Sequence, residues 1–149
     1  MKCSNVCEII KKYLNVRLLS YDVTTYEDSY DIFVRVHSEG FYLSFQIEII
    51  ENPQIVVITS KLPFVKKSIE MSLATSAINS YLINGSFDYD IKEGITTYRI
   101  STCWQENTKD DSFISYMLDK AILDIDTYGI EIERLIENKL DLNDFIKNI

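Results

Sequence analysis

The sequence predicts an α+β domain in which an antiparallel sheet carries its helices on one side, with elements in the order α-βββ-α-ββ-α. Three stretches predict it. Tyr30, Ile32, Val34 and Val36 alternate with Asp31, Phe33, Arg35 and His37, and after Ser38-Glu39-Gly40 the pattern resumes with Phe41, Leu43, Phe45, Ile47 and Ile49. A period of two with one apolar side is a hairpin lying on a core. A second alternation, Phe87 and Tyr89 followed by Thr96, Tyr98, Ile100 and Thr102, folds about Lys92-Glu93-Gly94. Ile114, Leu118, Ala121, Ile125, Tyr128, Ile132 and Leu135 then recur at alternating spacings of four and three, a helical seam. Phe113, Met117, Ile122 and Ile136 widen that seam into a face, which suits a helix laid across a sheet better than a free coiled coil.

The other elements follow in order. Ser4 is placed to cap a first helix, whose stripe is Val6, Ile9, Ile10, Tyr13 and Leu14 and which ends near Asn15. Val16 to Tyr21 is apolar enough for a short strand, and Asp22 to Asp28 reads as polar turn. Gly40 is expected to supply a positive φ in the first hairpin. Asn52-Pro53 makes the next turn, Gln54 to Ser60 is a third strand, and Pro63 closes it. In helix two, Ile69, Leu73, Ala77 and Tyr81, with Ser76 and Ser80, mark the face expected to pack on the sheet, Ala74, Ser76, Ala77 and Ser80 allow close approach of another backbone or sheet, and Gly85 is expected to end the helix. Thr108 to Asp111 caps the long helix, in which Gly129 is the point of weakest continuity. Leu140, Leu142, Phe145, Ile146 and Ile149 suit a short final helix. Residues 1–149 are read as one domain, long enough to bury roughly 70% of the surface its unfolded chain exposes.

Composition narrows the function. The formal net charge is −8 and no block of Lys and Arg occurs, so the electrostatic footprint of a nucleic-acid binder is missing. No apolar run approaches the ~18 residues that span a bilayer, and no basic-then-apolar leader opens the chain, so a soluble, cytoplasmic protein with reduced thiols is expected. Cys3, Cys7, Cys103 and the single imidazole of His37 are the only soft or imidazole ligands, at spacings that do not suit zinc. The four glycines form no phosphate-cradling pattern. His37 has no nucleophile elbow beside it and reads as a solvated turn residue. Asp88 and Asp90 share one side of a strand and read as its wet face, and Arg99 is placed to pair with Asp88 across the hairpin. No catalytic residue, metal or cofactor is therefore expected.

What remains is apolar side chains on the outward rows. If Tyr30, Ile32, Val34 and Phe41, Leu43, Phe45 face the core, then Phe33, Tyr42 and Ile50 stand on the opposite face among Arg35, Gln46 and Glu48. Either helix one covers them or they form a protein-binding surface, and Phe33, Tyr42, Ile50 and Arg99 are the candidate partner-binding residues.

The element order, with Leu62-Pro63 ahead of helix two, Asn79 near its end, Gly85-Ser86-Phe87-Asp88 opening the next strand and Gly94-Ile95-Thr96-Thr97-Tyr98-Arg99 crossing into the last, resembles the YbjN-like family, regulators of bacterial sensory transduction with a type III secretion chaperone-like fold. The motif resemblance lies near Leu62 to Ser101, and the element order extends it over the whole chain. It implies a small acidic domain that dimerises and binds another protein, with no catalytic residues to carry over. The expected function is a non-enzymatic, chaperone-like or regulatory protein-binding domain. It would act as a homodimer through helix two and its neighbouring strand and hold a protein or peptide segment on the open sheet. Two readings from other classes stand beside it. One is an immunity-type inhibitor of a basic protein, acting by charge complementarity. The other is a small ligand sensor or enzyme with a pocket under the last helix, where Tyr98, Trp104 and Asp88 would meet.

Overall fold

The computed structural model describes residues 2–105 and 107–149. Among them are four helices, α1 (Cys3–Val16), α2 (Ile69–Asn79), α3 (Ser112–Ile136) and α4 (Leu142–Asn148), and six strands, β1 (Tyr21–Thr25), β2 (Ser29–His37), β3 (Tyr42–Ile50), β4 (Ile55–Val65), β5 (Ser86–Asp90) and β6 (Ile95–Cys103). The strands form one sheet in the order β1-β2-β3-β4-β6-β5, every pair antiparallel. Helices lie on one face: α1 over β2 and β3, α3 over β4 and β6, α2 over β5, with α4 against α2 and α3. The α+β class with an antiparallel sheet is thus the observed one.

Strand parity explains this layering. Ile32, Val34, Leu43, Phe45, Ile47, Ile49, Val56, Ile58, Tyr98 and Ile100 are buried against the helices, while their odd or even neighbours face away from them. Register keeps the rows intact from strand to strand, Val34 opposite Phe45 and Phe45 opposite Ser60. The α3 seam is buried at Ile114, Leu118, Ala121, Ile125, Ile132 and Leu135. The helix runs unbroken through Gly129 because the ring of Phe41 packs there, 3.1 Å from where a Cβ would sit.

Several elements differ from expectation, each for a local reason. Tyr21–Thr25, read mostly as turn, is the edge strand β1; four of its five residues are exposed, so no apolar alternation marks it. The observed order therefore has four strands before α2, and α4 follows α3. β4 runs through Pro63 to Val65, with the register against β6 shifting between Lys61 and Val65; beyond Ser60 it no longer pairs with β3. A proline fits that irregular, half-paired segment. Ser4 lies inside α1, whose N-cap is Lys2. α2 ends at Asn79, and Gly85 (φ +90°) instead turns the chain into β5. Positive-φ glycines are Gly85 and Gly94 among the described residues, not Gly40.

The sharpest correction is the face of α2. Met71, Ala74, Thr75 and Ile78 are buried, whereas the expected packing row of Ile69 (72%), Leu73 (51%) and Tyr81 (60%) is exposed. Thr75 can occupy the buried side because its hydroxyl donates to the carbonyl of Met71 at 2.9 Å within the helix.

Candidate functional site

The sheet face away from the helices is bare. Phe33 and Tyr42 are 43% and 82% exposed, so α1, which packs on the other face, does not cover them. Phe33 lies in a row that runs Asp22, Phe33, Gln46, Thr59, Arg99 and Ser86 across all six strands. Tyr42 opens β3, opposite His37, with ring centroids 4.2 Å apart. Ile50 closes the same strand, half-buried opposite Ile55, and begins an apolar end of the face with Val57. At about 4.8 Å between strands, Phe33 and Arg99 stand about 14 Å apart. The four candidate residues therefore share one continuous surface without forming a compact cluster.

This face carries five carboxylates, Asp22, Asp31, Glu48, Asp88 and Asp90, and three cations, Arg35, Lys61 and Arg99. Arg99 makes a diagonal ion pair with Asp88, Nη2 to Oδ2 at 2.7 Å, as the hairpin register predicts. Asp31 accepts from Gln46 Nε2 at 3.1 Å and lies directly opposite Glu48. On the central strands Asp31 and Glu48 are accompanied by Arg35 and Lys61. Asp90 is taken up by its own turn, accepting from the backbone N–H of Lys92 at 2.8 Å and of Glu93 at 3.2 Å. Asp88 and Asp90 thus have separate structural partners and do not form an acid/base pair.

Tyr98, Trp104 and Asp88 do not meet. Tyr98 is fully buried and its hydroxyl donates to Asp124 Oδ2 at 2.7 Å, while Trp104 Nε1 donates to the carbonyl of Ile50 at 3.2 Å. Asp88 is on the opposite face of the sheet. Burial, then the hydrogen bond to Asp124, pushes the Tyr98 phenol far above its ordinary range. Asp124 also pairs with Lys120, so the buried carboxylate is compensated. This cluster ties α3 to the sheet and is closed to ligands.

A cleft of about 800 Å³ lies instead between the end of α1, the β2–β3 turn and α3. Leu19, Val36, Leu118 and Ile122 give it apolar walls, and Tyr13, Arg17, His37, Asp119 and Asp126 give it polar ones. Arg17 lies 5.6 Å over the Tyr13 ring, donates to the Tyr13 hydroxyl at 3.0 Å and reaches Asp119 at 3.4 Å. Asp126 accepts from Ser38 Oγ at 2.6 Å and from the N–H groups of Glu39 and Gly40, both at 3.3 Å. Its polar groups largely satisfy one another and clamp the hairpin turn to α3. The His37 ring lies against that of Tyr42 at a tilt of 31°, and no side chain of the described residues hydrogen-bonds to it.

The exposed aromatics are legible in the alternation of their strands, whereas the partners of Asp124, Asp126 and Asn79 lie on other elements and leave no local signal. No group of three or more His, Cys, Asp and Glu suited to a metal occurs among the described residues, and no helix there is long and apolar enough to cross a membrane. Comparison with known proteins gives no matching family model, no similar curated protein and no similar solved structure.

Proposed function

We propose that this chain is a non-enzymatic protein-binding domain, chaperone-like or regulatory, that works as a homodimer and holds polypeptide on the bare face of its sheet. The observation that carries this reading is the pair Phe33 and Tyr42, standing in solvent on a face that every helix leaves open. Aromatic side chains among neutral and charged polar groups supply apolar contact area and a hydrogen-bonding surround, the composition of a protein interface. The resemblance of Leu62 to Ser101 to the YbjN-like family, with its type III secretion chaperone-like fold, agrees with it. The exposed α2 row of Ile69, Leu73 and Tyr81 offers a partner a second apolar surface.

Charge distinguishes this reading from inhibition of a basic protein. Most of the net charge of −8 lies away from the open face, where five carboxylates are offset by three cations, so binding through Phe33 and Tyr42 should depend weakly on salt. The test is capture of the client at low and at high salt, roughly 50 mM against 500 mM, which brackets the range over which surface charge is screened. Recovery that changes little supports the proposal, and loss of a strongly basic partner at high salt favours the inhibitor.

A further inference from the structure

The two edges of the sheet are treated differently. On β5, the outward N–H and C=O of Phe87 are both occupied by the Asn79 carboxamide, at 2.8 and 3.0 Å. On β1, no side chain of the described residues caps the edge.

Which β1 groups point outward follows from hydrogen-bond parity. Tyr26 N–H donates to the carbonyl of Ser29 at 2.9 Å, so that turn pair is a bonded one. Bonded and non-bonded pairs alternate along an antiparallel ladder. Thr24 and Asp22 therefore bond to β2, opposite Asp31 and Phe33, while Tyr21, Val23 and Thr25 turn both backbone groups away from it. The next ladder agrees. Ser38 N–H donates to the carbonyl of Phe41, which by the same alternation makes Ile32 opposite Ile47 a bonded pair and leaves Ile32 non-bonded toward Val23.

We propose that β1 pairs with β1 of a second copy about a two-fold axis through Val23, joining two six-stranded sheets into one. The edge is self-complementary in that register. Val23 meets Val23 of the second copy, and Tyr21 meets Thr25 of the second copy in both directions, so every outward N–H and C=O of the three residues finds a partner. Asp22 then lies opposite Thr24 of the second copy. Centring on Asp22 would forfeit part of these bonds and oppose two carboxylates, at a cost in stability. The Val23 register also carries Tyr26, 53% exposed, to Ser20 of the second copy, beside its exposed Leu18. Such a two-fold keeps each face on its own side, so the open faces of the two copies become one surface. The inference rests on the homodimer in the proposed function and names its contact.

The test uses the full chain. Wild-type protein at high micromolar concentration should sediment as a dimer. Val23→Pro, which removes an N–H that bonds to nothing within the monomer, should sediment as a monomer with unchanged circular dichroism. In a Cys103→Ser background, Val23→Cys should oxidise to a covalent dimer, because residues facing one another in a bonded pair have Cα atoms about 5.5 Å apart, within disulfide reach. That cross-link decides the matter if the proline variant does not fold. A monomeric wild type, a dimer that survives Val23→Pro in folded protein, or a dimer lost on Leu73→Asp while the Val23→Cys variant forms no cross-link would overturn the proposal. None of these results changes what Phe33 and Tyr42 bind, so failure here is separable from failure of the client surface.

Discussion

The Asn79 carboxamide stands where a neighbouring strand would, accepting from the Phe87 N–H at 2.8 Å and donating to the Phe87 carbonyl at 3.0 Å. It joins the end of α2 to β5 and closes the most inviting point of that edge. Asn79→Ala should cost about 1–3 kcal/mol in urea unfolding, the range for leaving buried backbone groups unpaired. It should also raise the aggregation rate, and Asn79→Asp, which keeps the acceptor and loses the donor, should fall between the two.

Gly85 and Tyr98 are a second pair joined by contact. At φ +90°, a Cβ on residue 85 would overlap the Tyr98 hydroxyl oxygen and sit 2.9 Å from its Cζ. Gly85→Ala should therefore destabilise by more than about 2 kcal/mol, combining left-handed strain with overlap against a residue that cannot move. Adding Tyr98→Phe should recover part of the overlap but none of the backbone strain. Additive effects of the two substitutions in a thermal-melt double-mutant cycle would count against the contact.

Alkaline pH reports on the two buried thiols of α1, Cys7 most of all. Burial pushes Cys7 from its ordinary 9.0 up to about 11. Above pH 9 the unfolded chain releases this proton while the folded chain keeps it. The native state then binds more protons, and stability falls as pH rises toward 11, at up to about 1.4 kcal/mol per pH unit. Below pH 9 the contribution is fully present. Cys7→Ala should reduce the slope between about pH 9 and 10, leaving the part due to Cys3, which burial and then Glu51 also raise, before the buried Tyr98 adds its own loss above its ordinary 10.0, and should lower stability at neutral pH through lost packing. Chemical denaturation from about pH 7 to 11 measures both. Of the three thiols, only exposed Cys103 should react rapidly with an aromatic disulfide reagent in the folded protein.

The sheet was legible where one face is buried, because parity then sorts side chains without ambiguity: Ile32 and Phe33, or Tyr42 and Leu43, differ by one position and point to opposite faces. β1 was not legible for the converse reason. An exposed edge strand has no burial to write into Asp22-Val23-Thr24-Thr25, and its existence is decided by backbone pairing with β2. On α2, Ala74 allows the close approach its small side chain suggests, but the large residues were assigned to the wrong side, because Met71, Thr75 and Ile78 are buried with it and Ile69 and Leu73 stand outside. Asp124 and Asp126, two apart on α3, illustrate the limit for the site. Nothing local tells that one enters the core against Tyr98 and the other clamps the Ser38 turn.

The open face is tested most directly by comparing what wild-type and altered faces hold. Phe33→Lys, placed opposite Asp22, and Tyr42→Asp should each change stability by less than about 1 kcal/mol, since both side chains are solvent-facing. In quantitative mass spectrometry of proteins captured from cells that make this chain, the account predicts one client recovered with wild type and reduced at least about tenfold by either substitution, a loss of about 1.4 kcal/mol or more. An exposed helical-face control, Ile146→Lys, should leave its recovery unchanged. Equal recovery by all four proteins, or unfolding of both sheet variants, would contradict the claim that this bare sheet is the binding surface.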